Sequence, residues 1–326
     1  MGNSDILEST PAFLEKQLGN IFWDIDPDAV KESFVGERLR EGMRTEQKKT
    51  MVIGICVVLL LVFCITAFWH GLTVKTYDIS TDKITSCVRI AVLSDLHDCN
   101  FGKFQKDLIE KIRHQGPDMI LLTGDIADDK KTHDATEQLL SVIGSEYACF
   151  YVSGNHEIWS GQSHKIKDLI RSFGVMVLEG GTEIVSIGDQ NIVVAGVDDP
   201  EEFYPFYRTD RTKGESFYDQ LNACNMEIDD STFSVLLSHR PELINEYKSS
   251  GFDLVASGHS HGGQIRIPYI FNGVYAPNQG FFPKYAGGYY QLDDKALIVS
   301  RGLSKSVIPR VFNPPELVIV NLIPKK

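Results

Sequence analysis

Residues 51–69 carry no charge, no proline and a single glycine. A run of that length spans a bilayer as one helix, whereas a buried core helix of equal length would show a polar face. From residue 87 onward the pattern changes. Short β-branched runs alternate with stretches whose apolar positions recur every three or four residues, the signatures of strand and amphipathic helix. They predict strands over 89–93, 119–123, 150–153, 192–197, 233–237, 253–256, 296–300 and 316–322, with helices over 104–114, 135–143 and 166–173. Late in the chain, helices give way to closely spaced strands and Gly/Pro turns. The expected fold is α/β, or α+β in some schemes: a two-sheet β-sandwich flanked by helices, behind one N-terminal transmembrane helix.

Charge sets the expected orientation. Arg38, Arg40, Arg44, Lys48 and Lys49 crowd the N-terminal side of the apolar run, while Lys75 and Lys83 are sparse beyond it. Positive-inside counting places the N-terminus in the cytoplasm and everything after His70 outside a cell membrane crossed once. The expected organisation is a cytoplasmic tail over 1–50, the membrane helix over 51–70, a linker over 71–86 that could also be a first edge strand, and one domain over 87–323. In the tail, Ser9, Thr10 and Pro11 signal the start of a short helix. A formal charge of −12 argues against a nucleic-acid-coating surface, which needs clustered Lys and Arg. The six cysteines include no CxxC pair, so a zinc finger or thioredoxin motif is unsupported. Cys87, Cys99, Cys149 and Cys224 fall on the outer side, where disulfides are permitted.

The chemistry follows the apolar runs. Five of them end in polar clusters: Asp95 and His97; Gly124, Asp125 and Asp128; Gly154, Asn155, His156 and Glu157; His239; and Gly258, His259, Ser260 and His261. Ligands of open α/β sheets bind beyond the carboxyl ends of the strands, so these five ends are expected to converge. Asp95 with His97, and His259 with His261, are spaced by two, which in extended backbone sends both side chains to one side. A lone histidine or aspartate after a strand is usually a hydrogen-bonded structural group or a cap. Five of the nine histidines fall in these clusters, and that joint occurrence favours a common site. His70, His114, His133 and His164 read as solvated bystanders, and Asp98, Asp118 and Asp129 as turn or cap residues.

Asp95, His97, Asp125, Asn155, His239, His259 and His261 form a mixed oxygen and nitrogen donor set without cysteine. That set suits Mn²⁺, Fe or Zn²⁺ and is a poor match for Ca²⁺. Seven donors exceed what one tetrahedral ion uses, whereas two divalent ions about 3.5–4 Å apart, sharing a carboxylate, would use them all.

The order DxH, GDxxD, GNHE, H, GHxH resembles the calcineurin-like metallophosphoesterase superfamily. The run Gly258-His-Ser-His-Gly-Gly-Gln264, the preceding Ser238-His-Arg-Pro-Glu242 and the late Val299-Ser-Arg-Gly-Leu303 are similar to its exported, membrane-associated bacterial branch. The resemblance covers about residues 87–322. It implies that Asp95, His97 and His261 hold one ion, that Asn155, His239 and His259 hold the other, and that Asp125 bridges them. It also implies that His156 contacts substrate phosphate and protonates the leaving oxygen, with Asp128 orienting it by a hydrogen bond.

Some positions carry less weight. Ser304 stands where that branch often has a second glycine, a change expected to touch no proposed ligand. Arg301 is either a phosphate neutraliser or half of a structural ion pair, and Glu157 is given no catalytic role. The aromatics between Tyr269 and Tyr290 would cradle an acyl chain or nucleobase, or pack over a sheet edge. The expected function is a membrane-anchored, two-metal phosphoesterase, attacking a phosphodiester or pyrophosphate bond in line with metal-activated hydroxide. Its substrate would be a phosphate ester, lipid-linked or of the cell envelope. The rival class is a non-catalytic, metal-containing membrane receptor or scaffold. A nuclease is disfavoured by the acidic balance.

Overall fold

The computed structural model describes residues 27–305 and 309–325; the expected helix near residues 9–22 lies outside them. The chain divides into two units, residues 1–65 and 66–326. Most of the first is helix α1 (Pro27–Ala67). Its segment Lys31–Ala67 is long and apolar enough to cross a membrane, with a window of mean hydropathy 2.9 that is only 6% buried.

The second unit is built on two six-stranded sheets among the described residues. The strands are β1 (Thr73–Thr81), β2 (Val88–Leu93), β3 (Met119–Thr123), β4 (Ala148–Val152), β5 (Met176–Val177), β6 (Thr182–Ile187) and β7 (Gln190–Gly196). They continue with β8 (Phe233–Leu237), β9 (Leu254–Ser257), the hairpin pair β10 (Tyr275–Ala276) and β11 (Gly280–Phe281), β12 (Gly288–Leu292), β13 (Lys295–Val299) and β14 (Glu316–Pro324). One sheet runs β1-β14-β2-β3-β4-β5 and the other β12-β13-β9-β8-β7-β6. Parallel neighbours need crossovers, and helices supply them. Helix α2 (Lys106–Gln115) links β2 to β3, α3 (Asp134–Glu146) links β3 to β4, and α4 (Asn155–Trp159) with α5 (Ser163–Ser172) lead to β5. Helix α6 (Phe217–Met226) precedes β8, and α7 (Ile244–Ser249) joins β8 to β9.

The sheets pack face to face through Ile90, Val92, Leu121, Phe150 and Val152 on one side and Val194, Val235, Leu237 and Leu254 on the other. Helices α2, α3 and α5 cover the outer face of the first sheet with Leu108, Ile112, Leu139, Ile143, Ile166 and Ile170. Phe217, Leu221 and Tyr247 cover the second. The central strands are buried on both faces, so β3 and β8 read as continuous apolar runs rather than alternating ones. The expected helix-flanked sandwich is what forms. Residues 73–81 are an edge strand and not a linker: β1 pairs in parallel with β14 along its whole length.

Candidate metal centre

The carboxyl ends of β2, β3, β4, β8 and β9 meet at one edge of the sandwich. Backbone bonds tie the loops together there, with Asp95 N donating to Gly124 O at 3.0 Å, His97 N to Asp125 O at 3.0 Å and Gly258 N to His239 O at 3.1 Å. Among the described residues two clusters of close donor atoms share Asp125, with Asp95, His97, Asp125 and His261 in one and Asp125, His239 and His259 in the other; a third, His97, Asp128 and His156, shares His97 with the first. Asp125 Oδ2 is 3.2 Å from His239 Nε2 and 3.6 Å from His97 Nε2, while Asp95 Oδ1 is 3.6 Å from His261 Nε2.

The convergence is made differently from the extended geometry expected of the paired spacings. Asp95, His97, Asp125, His259 and His261 have φ of +52°, +47°, +51°, +65° and +46°. Left-handed backbone at non-glycine residues costs on the order of 1–3 kcal/mol each and collects at functional sites. Tight turns, not strand alternation, point these side chains inward. Two glycines make the turns possible by close approach: a Cβ on Gly154 would lie 2.3 Å from Asp125 Oδ1, and one on Gly258 1.8 Å from Ser94 Oγ.

His97 Nε2, Asp125 Oδ2, Asn155 Oδ1 and His239 Nε2 are buried without a hydrogen-bond partner. Buried polar atoms are normally paired, and Asp125 Oδ2 with two ring nitrogens gathered around it, at 3.6 and 3.2 Å, is the chemistry of a cation site. The donor set therefore fits divalent metal.

Comparison with known proteins agrees. Residues 88–263 match the calcineurin-like phosphoesterase family. An uncharacterised metallophosphoesterase of Campylobacter jejuni is 32% identical, over 85% of this chain and 71% of that protein. One from Aquifex aeolicus is 31% identical, over 78% and 92%. The chain belongs to the calcineurin-like phosphoesterase family. It is a metal-dependent phosphoesterase hydrolase. A dimetal phosphatase structure from Danio rerio is 12% identical with a TM-score of 0.45, covering 72% of this chain and 93% of that one.

Around this phosphoesterase centre a second ring of contacts holds the donors in place. His239 Nδ1 bonds Thr123 O at 2.7 Å, which leaves Nε2 facing Asp125. Both oxygens of Asp95 accept from His259 N, at 3.1 and 3.2 Å. Ser304 Oγ lies 3.0 Å from His261 Nδ1, so the expectation that Ser304 touches no ligand is overturned. The late loop returns over the site, with Leu303 N donating to Ser94 O at 2.9 Å.

His156 also has a different partner from the one expected. Its Nδ1 is 2.9 Å from Asp129 Oδ1. Asp128 is engaged elsewhere: Oδ1 accepts from Lys130 N at 2.9 Å, closing a local turn, and Oδ2 is 3.7 Å from His97 Nδ1. Asp98 caps the start of α3 by accepting from Thr136 N at 2.8 Å. Arg301 forms the structural pair, its Nη1 2.9 Å from Glu316 Oε2. Cys87, Cys99, Cys149 and Cys224 are all free.

Glu157 was the least expected contributor. Fully buried, its carboxylate accepts four backbone N–H groups: Asp125 at 2.9 Å, Ile126 at 2.7 Å, Ala127 at 3.0 Å and Gly154 at 2.9 Å. It staples the loop after β3 to the loop after β4. Burial, helped by the neighbouring Asp125 charge, pushes its carboxyl up to about 7 against the pull of these donors.

The histidines split electrostatically. Burial lowers His97 and His261 to about 4, and burial with the His239 and Arg240 charges holds His259 well below its ordinary value. Those rings are neutral, as ligands must be. For His239, burial opposes charging, yet Asp125 and then Asp95 raise it to about 10. Asp125 is itself held well below the carboxylate range, burial being outweighed by His239 and His97.

Proposed function

We propose that the chain is a membrane-anchored, dinuclear phosphoesterase that hydrolyses a phosphodiester or pyrophosphate bond in a lipid-linked or cell-envelope substrate. One observation carries the reading: Asp125 is common to two donor clusters, and its Oδ2 is orphaned and buried beside the orphaned atoms of His97, His239 and Asn155. In this reading Asp95, His97 and His261 hold one ion, Asn155, His239 and His259 the other, and Asp125 touches both. Two divalent cations, when bound, supply Lewis-acid charge and an activated water for in-line displacement.

The chain's own groups do the rest. His156 follows Asn155 at the start of α4 and is partly exposed, so a phosphate reaching the donors meets its ring. Its Nδ1 is held by Asp129, which leaves Nε2 to hold the proton that the leaving oxygen takes. His156 N donates to Asp125 Oδ1 at 2.8 Å, fixing proton donor and bridging carboxylate in one frame. Residues 1–50 would be the cytoplasmic tail, with the resemblance to the membrane-associated branch of the family and the cations Arg38, Arg40, Arg44, Lys48 and Lys49 in the N-terminal part of α1 supporting an outward-facing domain.

The test is a metal analysis of the full chain in detergent, together with a panel of monoester, diester and pyrophosphate substrates. Two equivalents of metal and preferential diester or pyrophosphate turnover are expected. One equivalent at full activity overturns the dinuclear reading, and bound metal without turnover favours a scaffold.

A further inference from the structure

The aromatic segment that follows the last pair of ligand histidines divides in two. Tyr285 and Tyr290 pack against the core outside the second sheet. The rest stands in solvent: Tyr269 is wholly exposed, Ile270 76%, Phe281 74% and Phe282 67%. Contiguous apolar surface of this kind marks an interaction face.

Backbone pairing places that face within residues 66–326. Phe312 N donates to the carbonyl of Ala67, the last residue of α1, at 2.7 Å. Val311, next to it, bridges Ile265, and Arg266 N donates to Val311 O at 2.9 Å. From there Ile267 pairs with Phe271, Val274 N donates to Gly263 O at 3.0 Å, and Phe282 N to Val274 O at 2.8 Å. One continuous hydrogen-bonded patch thus joins the exposed aromatics to the end of the membrane-length helix. Phe68 and Trp69, just beyond that end, are themselves 50% and 51% exposed. At its other side the patch reaches the metal centre. Asn278, in the turn between β10 and β11, places Oδ1 3.0 Å from His259 Nε2 and accepts from Arg240 Nη1 at 2.7 Å.

We propose that the exposed apolar side of residues 269–282 docks onto the surface of the bilayer that α1 enters, turning the mouth of the metal centre toward the headgroup layer. The inference rests on the reading of α1 as a membrane anchor. Aromatic side chains favour the headgroup boundary, and the exposed Lys284, over the ring of Tyr285 at 5.2 Å, adds a cation for anionic lipid. Apolar groups on such surfaces sit about 5–10 Å into the headgroup and acyl boundary, which leaves Asn278 and His259 at the water side. A helix end alone would let the domain tumble; a second contact beside the first fixes which face it shows the membrane.

The experiment uses the full chain in vesicles of phosphatidylethanolamine and phosphatidylglycerol, with and without lipid brominated high in the acyl chains. Tryptophan emission is compared for the parent, Phe282→Trp, Tyr269→Trp, and the control Met226→Trp. Met226 is 81% exposed at the end of α6, toward the start of β8 and away from the strand ends that carry the ligands. The parent is expected to be quenched through Trp69. The emission added by Phe282→Trp and Tyr269→Trp is expected to be largely lost, and that added by Met226→Trp retained. A parent that is not quenched removes the anchor and with it this proposal. A quenched parent whose two added tryptophans keep their emission overturns the docking face while the anchor stands. Blue-shifted emission without bromine quenching assigns the face to a second copy of the chain and likewise overturns it.

Discussion

Glu157 accepts a hydrogen bond from the backbone N of Asp125 at 2.9 Å while binding three more N–H groups of the same two loops. The carboxylate shared by two donor clusters is therefore positioned by a second carboxylate, which binds the backbone of the loops that carry it.

Replacing Glu157 by alanine strands four buried N–H groups, each left unpaired at about 1–3 kcal/mol before relaxation. Glu157→Ala is expected to lower the melting temperature and the metal content together, and Glu157→Gln, which keeps two acceptor contacts through its carbonyl, to do so less. Thermal melts with parallel elemental analysis of the purified chain check this. Unchanged metal content in a destabilised Glu157→Ala would restrict the residue to folding.

Ser304 offers a milder test. Its hydroxyl touches His261 Nδ1 at 3.0 Å, and loss of such an outer-shell partner typically costs about 10–100-fold in metal affinity. Ser304→Ala should weaken metal binding by that order without moving the melting temperature of the metal-free chain. Competition with a chelating dye reads the affinity; parent-like affinity would show that the hydroxyl is dispensable.

The sequence was legible where contacts are local and opaque where they are not. Asp95, His97, Asp125, Asn155, His156, His239, His259 and His261 lie just past buried runs whose composition marks them as strands, so five strand ends could be aligned without knowing the sheet order. Ser304 is 43 residues from His261, and Asp129 is 27 from His156; no periodicity encodes those meetings. Glu157 is given no catalytic role by its sequence, and its structural one is not local: only the fold brings the loop after β3 against it. Strand β6 escapes the pattern because none of its residues is buried and Ile184 is exposed, with polar Thr182, Glu183 and Ser186 interrupting its apolar residues. Helix α6 buries Phe217, Leu221 and Cys224 but carries four polar residues among them, so its apolar stripe is thin.

Asp125→Asn removes the charge that both clusters share. Turnover should vanish and the metal content should fall below two equivalents per chain. An active variant with two equivalents bound would exclude the bridging role.

The split among the histidines fixes a pH dependence for the chelated chain. His97 and His261 are lowered to about 4 from the ordinary value near 6.5. The unfolded chain thus binds more protons between those values, and stability is lost as pH falls from 6.5 toward 4. His239 is raised to about 10, so its contribution is fully present below pH 6.5 and is lost as pH rises through 10. Chemical denaturation of the chelated chain across that range should show a maximum near neutrality. His239→Asn should flatten the alkaline limb; if that limb is unchanged, the His239–Asp125 pair does not produce it.

The contact between Asp129 and His156 separates proton donation from metal holding. Asp129 Oδ1 lies 2.9 Å from His156 Nδ1 and from no proposed metal donor, whereas Asp128 lies within 3.7 Å of His97. If His156 gives its proton to the leaving oxygen, Asp129→Asn weakens the contact that holds the ring in place for that transfer. General acid groups contribute about 10²–10⁴-fold, so loss of the orienting partner should lower kcat by a fraction of that, on the order of tenfold, with KM and metal content near parental. A substrate with a good leaving group, such as a nitrophenyl ester, needs less protonation and should be less affected. Asp128→Asn is expected to do the reverse, weakening metal binding through His97. Equal losses for both leaving groups in Asp129→Asn would assign the proton to another donor.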